Sequence, residues 1–283
     1  MVDIRRPRIR RAGRVIAAVT AAVAAGSLAV ACTASTTTHA GPTEDAPKPT
    51  VVLVHGAFAD GSSWNDVVDK LHKDGYPVVA AADPLRGPTA DATTVRGLIS
   101  HISGPVVLVG HSYGGSVISA AAAGSDQVKA LVYVAAFLPA VGETALELTN
   151  KFPGSTLAGT LDPVAFTNPD GSTGTDLYIK QDKFHDQFAA DVPAARAALA
   201  AASQRPVLQS ALEEKATVAA WTDKPSWDVI TTQDSNIPVA AQRFMAERAH
   251  AHVTEIAASH SVAVSHPDRV AEVIEKAAAN SAR

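Results

Sequence analysis

Short apolar runs alternate with longer amphipathic stretches from residue 51 onward. A strand buried on both faces of a parallel sheet is apolar throughout, whereas a helix that covers the sheet repeats its apolar positions every three or four residues. The apolar runs predict strands at Val51–His55, Val78–Ala82, Val106–Gly110, Ala130–Val134, Ser226–Thr232 and Val253–Ala257. Helical spacing predicts helices at Ser62–Asp74, Thr93–Ile102, Ser116–Ala123, Pro238–Arg248 and from His266. The alternation predicts an α/β fold with a mostly parallel central sheet flanked by helices.

Residues 138–221 interrupt this alternation. They contain a stretch rich in Pro, Gly and Thr at Asn168–Thr175, followed by an Ala-rich helical run at Ala194–Ala202. We therefore expect an insertion into a core that consists of residues 51–137 and 222–283.

The first 31 residues have the pattern of a secretory signal peptide, because an Arg-rich segment precedes the uncharged run Val15–Ala31. Ala29-Val30-Ala31 fits the small-residue cleavage pattern, and the only cysteine, Cys32, follows it directly. This arrangement resembles a bacterial lipobox, in which the cysteine is lipidated and becomes the mature N-terminus. Simple secretion and an uncleaved anchor are the alternatives. Each of the three interpretations predicts an exported protein, and the first two predict a cell-membrane lipoprotein or a secreted protein.

Residues 32–50 are rich in Thr, Pro and Ala and have no hydrophobic periodicity, which is typical of a solvated tether. As a flexible coil, a segment of this length would span about 25 Å. On the lipoprotein interpretation, the tether would hold the folded body just off the membrane surface.

Composition and charge narrow the possible partners and sites. The chain has 283 residues, of which 47% are hydrophobic and 18% charged, as in ordinary soluble domains. One cysteine excludes a disulfide within the chain and a multi-cysteine metal site. Six Arg and one Asp lie within residues 1–31, so residues 32–283 carry a formal charge of about −9. Nucleic acid is therefore not an expected partner, because phosphate binding depends on clustered Lys and Arg.

The segment Gly110-His111-Ser112-Tyr113-Gly114-Gly115 fits a nucleophile elbow, a sharp turn between a strand and a helix that carries an exposed serine. Such a turn needs small residues two positions on either side of the serine, because strand and helix backbones approach closely there. Gly110 and Gly114 meet this requirement. Ser112 is therefore the candidate nucleophile.

A serine needs a general base, and the base needs an acidic group that fixes its tautomer. In this architecture the acid and the histidine follow the serine, each in a loop after a later strand. Asp234 and His260 lie directly beyond the last two predicted strands and are the candidate acid and base. Asp228 and Glu143 are reserve candidates for the acid. His266 opens the last helix and is expected to support its N-terminus.

The sequence positions of the remaining histidines do not predict a metal site. His55 and His111 belong to turns and are expected to pack or form hydrogen bonds. His250 and His252 share one strand face, but no third ligand accompanies them. We expect neither a metal nor another cofactor.

Two backbone amides are candidates for an oxyanion hole. One is the amide of Tyr113, at the N-terminus of the helix after the elbow. The second should come from the loop His55-Gly56-Ala57-Phe58, where Gly56 permits close approach; Ala57 is the first choice and Phe58 the next.

The motifs HGAF and GHSYGG, with Asp234 and His260, resemble the α/β-hydrolase superfamily over residues 51 to about 279. The chain is most similar to the branch of small esterases and hydroxynitrile lyases. Plant lyases of that branch carry Thr where this chain has Gly56, and Lys where it has Ser261.

The resemblance implies an esterase that cleaves a small-molecule ester, with residues 138–221 as a mostly helical cap. A receptor-like protein with slow turnover and a lyase or perhydrolase are the alternatives. The oligomeric state is open.

Overall fold

A computed structural model describes residues 47–281 of the chain. The predicted signal peptide, Cys32 and most of the predicted tether lie outside these residues. Six strands form the main sheet: β1 (Thr50–Val54), β2 (Val78–Ala81), β3 (Val106–His111), β4 (Val128–Val134), β8 (Ser226–Thr231) and β9 (His252–Ile256). Their order in the sheet is β2-β1-β3-β4-β8-β9, and each neighbouring pair is parallel. The predicted α/β fold is confirmed, with strand bounds that differ from the prediction by at most two residues.

Helices cover both faces of the sheet because neighbouring residues of each strand point to opposite sides. Val52 and Val54 of β1 pack into the core on one face, and Val51 and Leu53 pack into the core on the other. The helices are α1 (Asn65–Lys73), α2 (Pro88–Ile99), α3 (Gly114–Ala122), α4 (Ala145–Asn150), α5 (Gln181–Phe188), α6 (Ala194–Ser203), α7 (Gln209–Leu212), α8 (Val239–Arg248), α9 (Val262–Ser265) and α10 (Pro267–Ser281). Within residues 47–281, no helix combines the length and apolar character needed to cross a bilayer.

Helix α2 begins five residues earlier than its apolar spacing predicts. Pro88 occupies the first turn, where its missing N–H and fixed φ are tolerated. The Asp91 carboxylate accepts hydrogen bonds from the Arg86 and Gly87 amides and so closes the turn before the helix.

Residues 138–221 do not form the mostly helical cap that the family resemblance implies. They contain four short helices, α4 to α7, but also an antiparallel sheet of β5 (Leu161–Thr167), β6 (Thr173–Ile179) and β7 (Val207–Leu208). The Asn168–Thr175 stretch includes the tight turn that joins β5 to β6, closed by a hydrogen bond from the Asn168 amide to the Ser172 carbonyl. Because turn residues dominate this stretch, the hydrophobic pattern does not predict the short strands on either side of it.

Asp228 is an isolated buried carboxyl group in the middle of β8. It is 1% exposed and lies opposite Tyr133 of β4. Neither carboxylate oxygen has a hydrogen-bond partner in the described part of the chain. Burial raises the pKa of Asp228 well above its usual value, because the surroundings disfavour the charged form.

Replacing Asp228 by Asn should make stability less sensitive to pH. The native carboxyl contributes fully to stability below about pH 4, where the unfolded chain is also protonated, and its contribution falls as pH rises toward the folded-state pKa. The free energy of unfolding of Asp228→Asn, relative to the native protein, should therefore rise between pH 4 and pH 8. Urea unfolding at the two pH values measures this difference. An equal difference at both pH values would contradict a raised pKa of Asp228.

Candidate active site

Ser112 lies at a sharp turn between β3 and α3, in the left-handed region of backbone space with a φ of 53°. The turn is possible because no Cβ stands between strand and helix. A Cβ on Gly110 would lie 2.5 Å from the Gly114 carbonyl oxygen, and one on Gly114 would lie 2.6 Å from that of Val54. The Ser112 amide donates to the Val134 carbonyl at 3.2 Å, which ties the turn to β4. The elbow is therefore built from close backbone contacts, as its glycine spacing predicts.

The structure brings Ser112, His260 and Asp234 together in one hydrogen-bonded line. Ser112 Oγ lies 2.8 Å from His260 Nε2, and His260 Nδ1 lies 2.7 Å from Asp234 Oδ2. Asp234 follows β8 and His260 follows β9, so both loops lie at the carboxyl edge of the sheet, where β3 delivers the serine. Because an ionised carboxylate only accepts, Nδ1 donates to Asp234 and Nε2 is left to accept from the serine hydroxyl.

Asp234 is kept ionised although its side chain is fully buried. Burial by itself would raise its pKa, but the neighbouring His260 and the Asn236 and Ile237 amides outweigh this effect and lower the pKa below its usual value. The two amides donate to Oδ1 at 2.7 and 3.0 Å. Thr231 Oγ1 also donates to Oδ2, at 2.9 Å. These donors fix the carboxylate against the imidazole.

Two unpaired amides border Ser112. The amides of Ala57 and Tyr113 donate to no other group within residues 47–281, and both residues line the cavity at the serine. The Phe58 amide, by contrast, donates to the Arg205 carbonyl at 3.1 Å. That bond removes the second-choice donor and leaves Ala57 and Tyr113 available for a substrate oxygen. The Tyr113 hydroxyl donates to Asp91 at 2.7 Å, which anchors this residue at the cavity.

His111 packs and forms a hydrogen bond, as expected from its place in a turn, but its partner is not evident from the sequence. Its Nε2 donates to the backbone carbonyl of His260 at 2.9 Å, and the two rings lie 4.7 Å apart. Burial, with the nearby His260, lowers the pKa of His111 to about 3, so His111 is neutral and adds no positive charge beside His260. His55 is also buried, and its Nε2 accepts a hydrogen bond from the Asp83 amide. This bond joins the loop after β1 to the loop after β2.

The reserve acids take structural positions. Asp228 lies inside β8, away from the imidazole, as described above. Glu143 is paired with Arg248 through both carboxylate oxygens. His266 precedes α10 and lies 3.6 Å from Asp191.

The other histidines do not gather into a site. His252 packs on Trp227, with ring centroids 4.9 Å apart, while His250 adopts a positive φ just after α8. The described residues contain no cluster of three or more side chains suited to holding a metal ion.

A cavity of about 500 Å³ opens above the serine. Its floor is formed by Ala57, Ser112, Tyr113 and His260, and its walls come largely from the segment 138–221. Most wall residues are apolar: Ala145, Leu146, Leu157, Leu161, Pro163, Leu177, Phe188 and Leu212. Among the described residues, no Lys or Arg lines it.

The end of α5 connects both catalytic loops to this wall. Gln187 is 5% exposed, and its Nε2 donates to the Ser235 carbonyl at 2.8 Å and to Asn236 Oδ1 at 3.0 Å. One residue later, the Phe188 carbonyl accepts a hydrogen bond from Ser261 Oγ at 2.9 Å. Two consecutive residues therefore bind the Asp234 loop and the His260 loop.

Comparisons with known proteins agree with this architecture. A family model described as the alpha/beta hydrolase family matches residues 51–273. Alpha/beta hydrolase nvfD of Aspergillus novofumigatus is 28% identical over 256 residues, covering 82% of this chain and 97% of that protein. A pyrethroid hydrolase of Sphingobium wenxiniae is 27% identical over 251 residues, covering 79% and 85%. The crystal structure of polyneuridine aldehyde esterase superposes with a TM-score of 0.71 at 18% identity, covering 81% and 98%.

Gln187→Ala should destabilise the protein by about 2–3 kcal/mol, because it leaves buried polar partners in the Asp234 loop unsatisfied. Amide exchange at Asn236 and Ile237, which donate to Asp234, should become faster than in the native protein. Urea unfolding and hydrogen exchange measure the two effects. Gln181→Ala, on the exposed first turn of the same helix, is the matched control and should change stability by less than about 0.5 kcal/mol. Equal effects of the two substitutions would show that Gln187 does not hold the loop.

Proposed function

The chain belongs to the alpha/beta hydrolase family, and on that premise we propose that it is a serine hydrolase that cleaves carboxylic esters through an acyl-enzyme. The observation that carries this proposal is the line of hydrogen bonds from Asp234 through His260 to Ser112, beside two unpaired amides. Proteins similar to this chain are named hydrolases and esterases, which supports the same reaction class.

In the first half of the reaction, Ser112 Oγ attacks the ester carbonyl carbon. His260 Nε2 accepts the hydroxyl proton as the new C–O bond forms. The carbonyl oxygen becomes an oxyanion and accepts hydrogen bonds from the Ala57 and Tyr113 amides. Asp234 stabilises the imidazolium and holds its Nδ1–H in place throughout.

Collapse of this tetrahedral intermediate breaks the bond to the leaving oxygen. His260 donates its proton to that oxygen, the alcohol departs, and the acyl group remains on Ser112. Water then attacks the acyl-enzyme, with His260 again as the base, and the carboxylic acid is released. The original Ser112 proton leaves with the alcohol. As the acyl–Oγ bond breaks, His260 gives Ser112 Oγ the proton that it took from water, so one turnover consumes one water molecule and one ester.

The cavity favours an ester with a substantial apolar part. Its walls are mainly aliphatic and aromatic, and burying such a substrate stabilises binding by about 25 cal/mol per Å² of apolar surface. Ser261, which stands where the related lyases carry Lys, donates to the Phe188 carbonyl and lies in the loop rather than on the cavity lining. With no cation on the described lining to hold cyanide, ester hydrolysis is favoured over cyanohydrin cleavage.

Export and lipid anchoring form part of the same proposal and rest on the sequence of residues 1–50. The Arg-rich start, the uncharged run and Ala29-Val30-Ala31-Cys32 support cleavage before Cys32 and lipidation of its thiol. The Thr- and Pro-rich residues up to 50 would then link the lipid to β1, which begins at Thr50.

Ser112→Ala should reduce kcat/KM by roughly four to six orders of magnitude, because the nucleophile is lost while the fold and the cavity remain. Hydrolysis of p-nitrophenyl acetate and butyrate measures the loss. Ser116→Ala, one turn further along α3, is the matched control, since its hydroxyl has no partner in the described residues and does not line the cavity. Full turnover by Ser112→Ala would disprove the mechanism.

Cys32→Ala should release the protein from the membrane fraction, because the thiol that would carry the lipid is absent. Fractionation of cells that express the full chain, followed by immunoblotting, tests this. Native and variant proteins that distribute identically between membrane and soluble fractions would contradict lipid anchoring while leaving the catalytic proposal intact.

A further inference from the structure

Two aromatic rings close the cavity on the side of His260. Phe58 and Phe188 meet edge to face, with ring centroids 6.3 Å apart. Phe188 also packs edge-on against the His260 ring, at 4.9 Å. The side of the cavity next to the proposed general base is therefore a wall of two phenylalanines.

A second groove of about 210 Å³ lies behind these rings, between α6 and the turn that follows Phe58. Phe58 and Phe188 are the only described residues that line both spaces. The apolar part of its lining includes Phe184, Val192, Ala197, Leu199, Ala200 and Val264. Polar and charged residues, among them Asp60, Ser63 and Arg196, line the rest. The two rings therefore stand between the groove and the cavity.

The backbones that carry the two rings are held in place. The Phe58 amide donates to the Arg205 carbonyl, and the Phe188 carbonyl accepts from Ser261 Oγ. Phe58 also has a positive φ of 62°, fixed within the loop after β1. A path between the two spaces therefore depends on the phenylalanine side chains and needs no change in the main chain.

The position of His260 indicates which half of an ester faces this wall. The leaving oxygen must come within hydrogen-bond reach of His260 Nε2 to receive its proton. Phe188 packs on the His260 imidazole. Ser261 and Val264, which follow His260 in the chain, line the groove. The far lobe of the cavity is formed instead by α4 and the start of β5, including Leu146, Leu161 and Pro163. The alcohol moiety thus faces the two rings, and the acyl moiety faces the side of the cavity formed by α4 and β5.

We propose that Phe188, together with Phe58, sets the size limit for the alcohol moiety of the substrate, and that the groove behind them is an extension site for a longer, apolar alcohol chain. The inference rests on the proposed ester hydrolysis. Phe188 is a specificity-determining residue in this account. The occupant of the groove is the distal alkyl end of the alcohol, which enters when the Phe188 ring is turned aside or removed.

Two substrate series test the proposal on the native protein and on Phe188→Ala. The first varies the alcohol, from methyl to octyl butyrate; the second varies the acyl chain, from p-nitrophenyl acetate to octanoate. In Phe188→Ala, the ratio of kcat/KM for octyl to methyl butyrate should rise about tenfold or more over the native ratio, since burying two further methylene groups already corresponds to about that factor. The acyl-chain profile should keep its native shape.

Two further variants separate the groove from general effects. Phe244→Ala removes a partly buried ring that packs against Phe152, away from both spaces, and should leave both profiles unchanged. Leu199→Asp, placed in the Phe188→Ala background, puts a charge at the far end of the groove, where Leu199 is 73% exposed, and should abolish the gain for octyl butyrate. Stoichiometric labelling of Ser112 by a fluorophosphonate shows that each variant has a folded site.

An unchanged alcohol profile in folded Phe188→Ala would overturn the proposal, as would a gain confined to the acyl series or a gain that survives Leu199→Asp. Failure of the proposed function itself looks different. In that case the native protein would hydrolyse neither series, and the premise of the inference would be removed.

Discussion

Ser112 can face an imidazole only because its backbone is held in a left-handed turn where β3 meets α3. For a non-glycine residue, such a conformation costs on the order of 1–2 kcal/mol. The surrounding core supplies the compensation: β3 is buried along its length, its neighbours β1 and β4 pair with it on either side, and the Ser112 carbonyl accepts the Phe137 amide. The strained residue thus directly follows a strand that is buried along its length and paired on both sides, and this strand positions the serine hydroxyl.

The rest of the proposed site is assembled from loops at the same edge of the sheet, and these loops are connected to one another. Amides of its own loop donate hydrogen bonds to Asp234. The His111 imidazole donates to the backbone carbonyl of His260. The end of α5 forms hydrogen bonds with both loops. The segment 138–221 therefore does more than cover the cavity, because Gln187 and Phe188 take part in holding the groups beneath it. Helix α5 both lines the cavity and holds the loops of Asp234 and His260. A substitution at Phe188 is therefore best judged by the ratio of kcat/KM between two substrates rather than by kcat/KM for one substrate.

Much of this arrangement could be predicted from the sequence because it depends on local rules. Close backbone contact at the elbow requires glycine at positions 110 and 114. Because the strands are parallel, their carboxyl ends lie at one edge of the sheet, and the loops that carry Asp234 and His260 begin there. Long-range features escaped prediction. The bond from His111 to the His260 carbonyl joins residues 149 positions apart, and the engagement of the Phe58 amide with Arg205 depends on the inserted segment. The β5–β6 hairpin was obscured by its turn residues. Asp228 was a reserve candidate for the acid because its neighbours in three dimensions, and its lack of a hydrogen-bond partner within the described residues, cannot be derived from the sequence.

The central claim is that the Ser112 hydroxyl, the His260 imidazole and the amides of Ala57 and Tyr113 act on one carbonyl group. A crystal structure of the protein after reaction with a dialkyl fluorophosphate tests this most directly, since the phosphorus adduct resembles the tetrahedral intermediate. The account predicts a bond from phosphorus to Ser112 Oγ, with the phosphoryl oxygen 2.7–3.1 Å from both amide nitrogens. An adduct on another residue, or a phosphoryl oxygen directed away from these amides, would contradict it.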